Sequence, residues 1–151
     1  ARAGSDTDFW YGDLNVDFSS FENLADSTLV DLAVTGVNPR PMKPADPMRK
    51  FWDFQPKIVT ANDGQLVSAP VASYQPNPWG IYDMYGNVAE WTRSGYHSYP
   101  LHSRQNDKEV KKVVRGGSWI ERPKFATSAS RKAYLPWQRP FNVGFRIVIE
   151  E

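Results

Sequence analysis

Two carboxylates flank a glycine–asparagine turn in the stretch NPWGIYDMYGNVAEW, residues 77–91. Asp83 and Glu90 bracket Gly86 and Val88. A chain that folds back here offers two carboxylates and the intervening backbone carbonyls to one point. Hard cations such as calcium take oxygen-only sets of this kind. A plainer reading is also open. Pro78 and Gly80 punctuate an acidic turn, and Asn87 caps a short helix that opens at Val88, with Glu90 three residues on. Other candidates are sparser. Asn23, within FSSFENLAD at 18–26, is suited to capping a turn or binding a cation. Asp63-Gly64 reads as a tight turn. His97 and His102 are the two histidines of the chain, and a 2-His-1-carboxylate iron site also needs a placed carboxylate. Ser118 has no evident His partner, which speaks against a Ser/His/Asp hydrolase. Trp91, Tyr134 and Trp137 line either a ligand cleft or the core, and aromatics at this density belong more often to the core.

The elements that must position these residues are short. At 151 residues the chain is one domain at most, and 12 Pro and 10 Gly argue against a helical bundle. Six Trp, seven Tyr and eight Phe predict an aromatic core wedged between loops. An aromatic cluster falls at Phe9, Trp10 and Tyr11. Residues 31–61 carry five prolines and read as a long surface loop. VKKVVRGGSW at 110–119 is the clearest strand, closed by Gly116-Gly117. Residues 125–134 fit a strand or a short helix. FNVGFRIVI at 141–149 predicts a final strand, with Gly144 marking a bulge or close approach. Residues 94–107 read as polar loop.

Composition excludes several classes. With no Cys, disulfides, zinc–thiolate sites and thiol chemistry are ruled out. No apolar run is long enough to span a bilayer. Net charge is +1 but uneven: residues 1–91 hold 6 Lys/Arg against 12 Asp/Glu, and residues 92–140 hold 11 against 3. The favoured reading is that the two halves neutralise each other, because no long basic run and no nucleic-acid motif is present.

NPWGIYDMYGNVAEW, VVRGGSW, SASR and NVGFRIV, taken together, resemble the formylglycine-generating enzyme family, also called sulfatase-modifying factor domains. ARAGSDTDFWYGDL and FENLAD look like the middle region of the same family, and 31–61 is the least typical part. The resemblance implies an α+β fold, a loop-rich variant related to C-type lectins and poor in regular structure. It implies that 1–151 is the C-terminal portion of such a domain, or one half of a split one. It also implies two calcium ions. One falls to the Asp83 and Glu90 side chains with the Gly86 and Val88 carbonyls. The other falls to the Asn23 and Asp63 side chains with the Leu24 and Gln65 carbonyls. In the light of the resemblance, calcium becomes the favoured reading of the Asp83–Glu90 turn.

Members of that family oxidise a substrate cysteine to formylglycine on copper(I) held by two cysteines, and soft thiolates are what select copper(I). Those cysteines belong after Gly116-Gly117-Ser118-Trp119. Here the stretch reads IERPKFATSAS, with Glu121 and Ala126 near their places, and neither replaces a thiolate. Ala89 stands where the family's Gly-Asn-x-Trp-Glu-Trp motif has its first Trp. Asn87 and Ser118 match residues of the family's substrate groove, with a helix cap and a turn hydroxyl as the plain alternatives. The expectation is a calcium-binding domain without copper, non-catalytic as it stands, acting in binding or assembly. Its expected partners are a second polypeptide or the remaining part of the domain, packed on the final strand and on Phe9 to Tyr11, and a peptide or glycan ligand. The alternative is one part of an enzyme whose reactive groups lie elsewhere. An extracytoplasmic location, periplasmic or secreted, is the family-level expectation.

Overall fold

The computed structural model of the chain describes residues 1–35, 38–43, 45, 47, 57–97 and 110–149. Asp26 opens the first regular element. Its carboxylate accepts the Thr28 N–H and caps a 3-10 turn at Ser27–Asp31. Strand β1 (Leu32–Thr35) follows and pairs antiparallel with β2 (Asn38–Pro41), Leu32 opposite Pro41. This hairpin corrects the expectation of a structureless loop from residue 31 onward. Leu32 is apolar enough to be drawn into a core cluster with Ala25, Leu29 and Trp119. Pro39 and Pro41 are tolerated because a two-stranded sheet consists of edges. Most of 44–56 lies outside the described residues.

The second sheet carries the candidate site. It comprises β3 (Ala89–Gly95), β4 (Lys112–Arg115), β5 (Lys132–Tyr134) and β6 (Val143–Gly144), in the order β5-β4-β3-β6. β4 is antiparallel to both β3 and β5, whereas β6 runs parallel to β3. Val113 and Val114 of β4 are both buried, so this strand is covered on two faces. Residues 125–134 resolve into β5 preceded by a 3-10 turn at Pro123–Phe125.

Two further expectations need correction. No helix opens at Val88. Asn87 adopts φ +54°, a left-handed conformation that Asn tolerates, and the chain then extends into β3. Val88, Trp91 and Thr92 are the residue types that favour an extended backbone. The final strand is also shorter than 141–149: only Val143 and Gly144 are paired. Phe145, Ile147, Val148 and Ile149 beyond it are 74–85% exposed.

The core is aromatic. Phe9 stacks on Tyr11 at 5.1 Å between ring centres, Tyr11 stacks on Phe21 at 4.7 Å, and Tyr85 meets Phe9 edge-on at 4.9 Å. Phe18, Leu24, Ala61 and Ala126 complete this cluster. Phe9 is buried within this chain, in a cluster with the sequence-distant Tyr85 and Ala126, while Trp10 and Tyr11 are half-buried. Among the described residues the helical content is confined to 3-10 turns, and no helix is long and apolar enough to cross a membrane.

Candidate functional site

Asn87 is the knot of the site. Its N–H donates to the Asn23 carbonyl at 2.7 Å, and its carbonyl accepts the Trp119 N–H at 3.0 Å. Its side-chain amide pairs with the Ala69 backbone in both directions, at 2.9 and 3.2 Å. One residue thus joins the FENLAD segment, the 69 region and the Gly-Gly-Ser-Trp turn. Gly86 makes the approach possible. It adopts φ +69°, and a Cβ there would collide with the Asn23 carbonyl oxygen. The two predicted cation loops are therefore adjacent.

In the first loop, Asp83, Val88 and Glu90 line a cavity of about 230 Å³ together with Tyr82, Phe145 and Arg146. Asp83 sits at φ +53° and its Oδ2 accepts the Ala72 N–H at 2.8 Å. Its Oδ1 is buried without a partner, an acceptor oxygen suited to a cation. Gly86 belongs to the same turn but does not line the cavity. Glu90 is engaged by Arg146, whose Nη2 lies 2.8 Å from Oε1. The Arg146 guanidinium is held still more firmly protonated, chiefly by its hydrogen bonds to Glu90.

In the second loop, Asp63 accepts N–H groups from Gln65 at 2.9 Å and Leu24 at 3.2 Å. The Gln65 carbonyl accepts the Thr28 hydroxyl at 2.9 Å, and Asn23 donates its amide N–H to the Val67 carbonyl at 2.8 Å. All four predicted residues are brought into one hydrogen-bonded neighbourhood. Asp26 joins them, accepting the Asp63 N–H at 2.6 Å. Burial, with the Asp26 carboxylate adding repulsion, pushes the Asp63 carboxyl up to about 7. Two crowded carboxylates raise the proton affinity of one of them, and a cation would relieve the same strain.

Among the described residues no three His, Asp or Glu side chains cluster closely enough to hold a metal by themselves. A cation here must draw on carbonyl and amide oxygens, as the predicted sets do. That donor chemistry fits calcium. It does not fit copper(I), because the chain contains no thiolate.

The loop that follows the Gly-Gly-Ser-Trp turn is filled differently. Gly117, at φ +74°, lies against Ala126, with no room for a Cβ between them. Glu121 is buried and ion-paired to Lys132 of β5, and burial pulls the Lys132 ammonium down. Ser118 is fully buried and its Oγ accepts the Asn142 amide at 2.8 Å. Ser118 is thus internal, whereas Asn87, though buried, also lines the cavity of the first loop. A second cavity of about 350 Å³ is lined by Trp91, Thr92, Arg115, Thr127 and Ser128 among others. Tyr85 and Ser128 share a hydroxyl hydrogen bond of 2.8 Å at it. Trp91 meets Tyr134 edge-on at 6.1 Å, and Trp137 is exposed. His97 is exposed, and His102 lies outside the described residues.

Several participants escaped sequence reasoning. Glu22 is 1% exposed beside the first loop, and burial raises its carboxyl well above the usual range despite hydrogen bonds from Tyr85 and Trp10. Nothing in FENLAD marks it as buried. Asp26 had a signal, since Asp-Ser-Thr is a capping pattern. Arg146 lies in NVGFRIV, and nothing local to it points to Glu90, 56 residues away.

The sequence profile of the sulfatase-modifying factor enzyme 1-like domain matches residues 1–151. The formylglycine-generating enzyme of Streptomyces coelicolor is 34% identical over 100 residues, covering 60% of this chain and 32% of that protein. An inactive Cα-formylglycine-generating enzyme 2 of Bos taurus is 34% identical over 97 residues, covering 60% of this chain and 30% of that protein. PvdO from Pseudomonas aeruginosa superposes with a TM-score of 0.49 at 25% identity, over 81% of this chain and 50% of PvdO. The chain spans about a third of the length of these two curated relatives. With its loop-rich architecture, its Gly-Asn turn and its Gly-Gly-Ser-Trp turn in place, the chain belongs to the sulfatase-modifying factor enzyme 1-like domain family.

Proposed function

We propose that this chain is a calcium-binding member of its family that carries out no copper-dependent oxidation as it stands and acts in binding or assembly. The observation that carries the reading is the content of the Gly-Gly-Ser-Trp loop. A Glu121–Lys132 ion pair and Ala126 fill the region where a copper(I) site needs two thiolates. The reading is supported by a relative that is itself named an inactive Cα-formylglycine-generating enzyme 2. Calcium is supported by the buried, unpartnered Asp83 Oδ1 and by the crowded Asp26–Asp63 pair. Asp83, Glu90 and the Gly86 and Val88 carbonyls hold one ion. Asn23, Asp63 and the Leu24 and Gln65 carbonyls hold the other. The ions fix loops that few backbone ladders hold. The cavity beside Trp91 and Ser128 is the seat we assign to a peptide or glycan.

A second reading has its own support. Four apolar side chains between 145 and 149 stand in solvent, as they would if a partner polypeptide or a further part of the domain covered them. The reactive groups of an enzyme would then lie on that part. Calcium points to an extracytoplasmic setting, where it is plentiful.

Two measurements test the first reading. A peptide with the sulfatase motif Cys-x-Pro-x-Arg should stay unoxidised when copper and oxygen are supplied, and aldehyde on that peptide would refute it. Thermal melts in calcium, magnesium and chelator should separate by several degrees in favour of calcium at a hundredfold excess over Kd, about 2.7 kcal/mol. Asp83→Asn should shrink the difference and Glu90→Ala should shrink it further. Identical melts with no calcium found by elemental analysis remove calcium from the function.

A further inference from the structure

The Asp83–Glu90 loop already holds a positive charge. Arg146 Nε lies 3.1 and 3.2 Å from the two oxygens of Glu90, and its Nη2 lies 2.8 Å from Oε1. The same Nη2 donates to the Tyr82 carbonyl at 2.9 Å and to the Asp83 carbonyl at 3.1 Å. The guanidinium therefore takes both Glu90 oxygens and two loop carbonyls, the kind of oxygen set that a hard cation uses. None of these bonds goes to Asp83 Oδ1, which is buried without a hydrogen-bond partner.

Resting on the calcium reading above, we infer that Arg146 is the built-in counter-cation of this loop, and that a divalent cation reaches Glu90 only by displacing it. Glu90 cannot give both oxygens to a metal and keep a fork of guanidinium bonds. The two positive charges would also repel across one carboxylate. Affinity is then set by exchange: one cation enters and one guanidinium leaves.

The exchange has a consequence elsewhere. Arg146 lies two residues beyond β6, which is tied to β3 by only the Ala89–Val143 and Glu90–Gly144 pairs. Its five hydrogen bonds are the polar anchor of the segment 145–149, whose apolar side chains are already exposed. Displacing Arg146 frees that segment. The cation thus decides whether this exposed segment is pinned to the loop by Arg146 or free to rearrange against a partner.

The experiment is calcium titration by calorimetry in an Asp63→Asn background, which silences the second loop. Arg146→Gln should bind at least about tenfold tighter than the parent, because the resident charge is gone. Arg146→Lys should stay near the parent. Hydrogen exchange on the unsubstituted chain supplies a readout that needs no variant: calcium should slow exchange at 82–90 and speed it at 145–149. Equal or weaker binding by Arg146→Gln, or slowing at both segments together, overturns the inference. If Arg146→Gln binds and the parent does not, Arg146 stands as the counter-cation and the calcium reading of this loop fails. If neither binds, both fail.

Discussion

Asp63 shows how a single side chain can report on the second loop. Burial first, then repulsion from Asp26, raises its carboxyl from the ordinary 3.8 to about 7, against the opposing backbone bonds from Gln65 and Leu24. The folded state thus binds this proton more tightly than the unfolded chain does. Without metal, its contribution to stability is complete below about pH 4 and is lost as pH rises to about 7. Calcium needs the ionised carboxylate, so binding below pH 7 must expel the proton. The stabilisation that calcium gives should therefore grow between pH 5 and pH 8. Paired melts in calcium and chelator across that range measure it. Asp63→Asn should flatten the growth. Glu22, raised in the same direction by burial, continues to slope the chelator curve in both proteins. An increment that is the same at pH 5 and pH 8 removes Asp63 from the ligand set. At this scale Asp83 and Glu90 stood out as carboxylates flanking a Gly turn, whereas the grouping of Asn23 with Asp63 came only from the family resemblance. Asp26, Glu22 and Arg146 were not legible, because their roles come from contacts with residues far along the chain.

At the scale of elements, the largest revision is the change from a helix at Val88 to β3. Capping-box spacing was present, but the N–H groups after Asn87 go elsewhere: Ala89 donates to the Asn142 carbonyl at 3.0 Å and pairs with Val143. A local signal lost to a tertiary ladder. Asn87 is kept for a different purpose, holding residue 69 by two hydrogen bonds within a buried junction. Asn87→Ala leaves the Ala69 N–H and carbonyl buried and unpaired, which should cost about 2–4 kcal/mol. Asn87→Gly relieves the positive φ but not the lost amide, and should recover only the smaller part. Urea unfolding of the three proteins separates the terms. A loss below about 1 kcal/mol for both variants means that water reaches this junction. β4 was legible because two adjacent valines before Gly-Gly leave few alternatives. β1 and β2 were hidden by prolines, whose presence argues against a central strand but permits an edge.

At the scale of the molecule, the aromatic core closes within the chain while its C-terminal end does not. Phe9, Phe18 and Tyr85 are each 1% exposed, whereas Phe145, Ile147, Val148 and Ile149 are 74–85% exposed. The two facts separate folding from assembly. The first predicts a cooperative unfolding transition of the isolated chain. The second predicts that the same folded chain binds hydrophobic dye or self-associates, because neighbouring apolar groups at a sheet edge are an adhesive strip. Replacing Ile147 and Ile149 by Asp distinguishes folding contacts from sticky surface. Side chains that touch little in the folded state should change stability by no more than about 0.5 kcal/mol each, while dye binding and association fall sharply. Guanidinium melts and light scattering on parent and variant make the comparison. If the double substitution collapses the melt, the strip is part of this chain's own core. If the melt holds and association disappears, the strip is an assembly surface, and Arg146 in its midst ties that surface to the charge state of the Asp83–Glu90 loop.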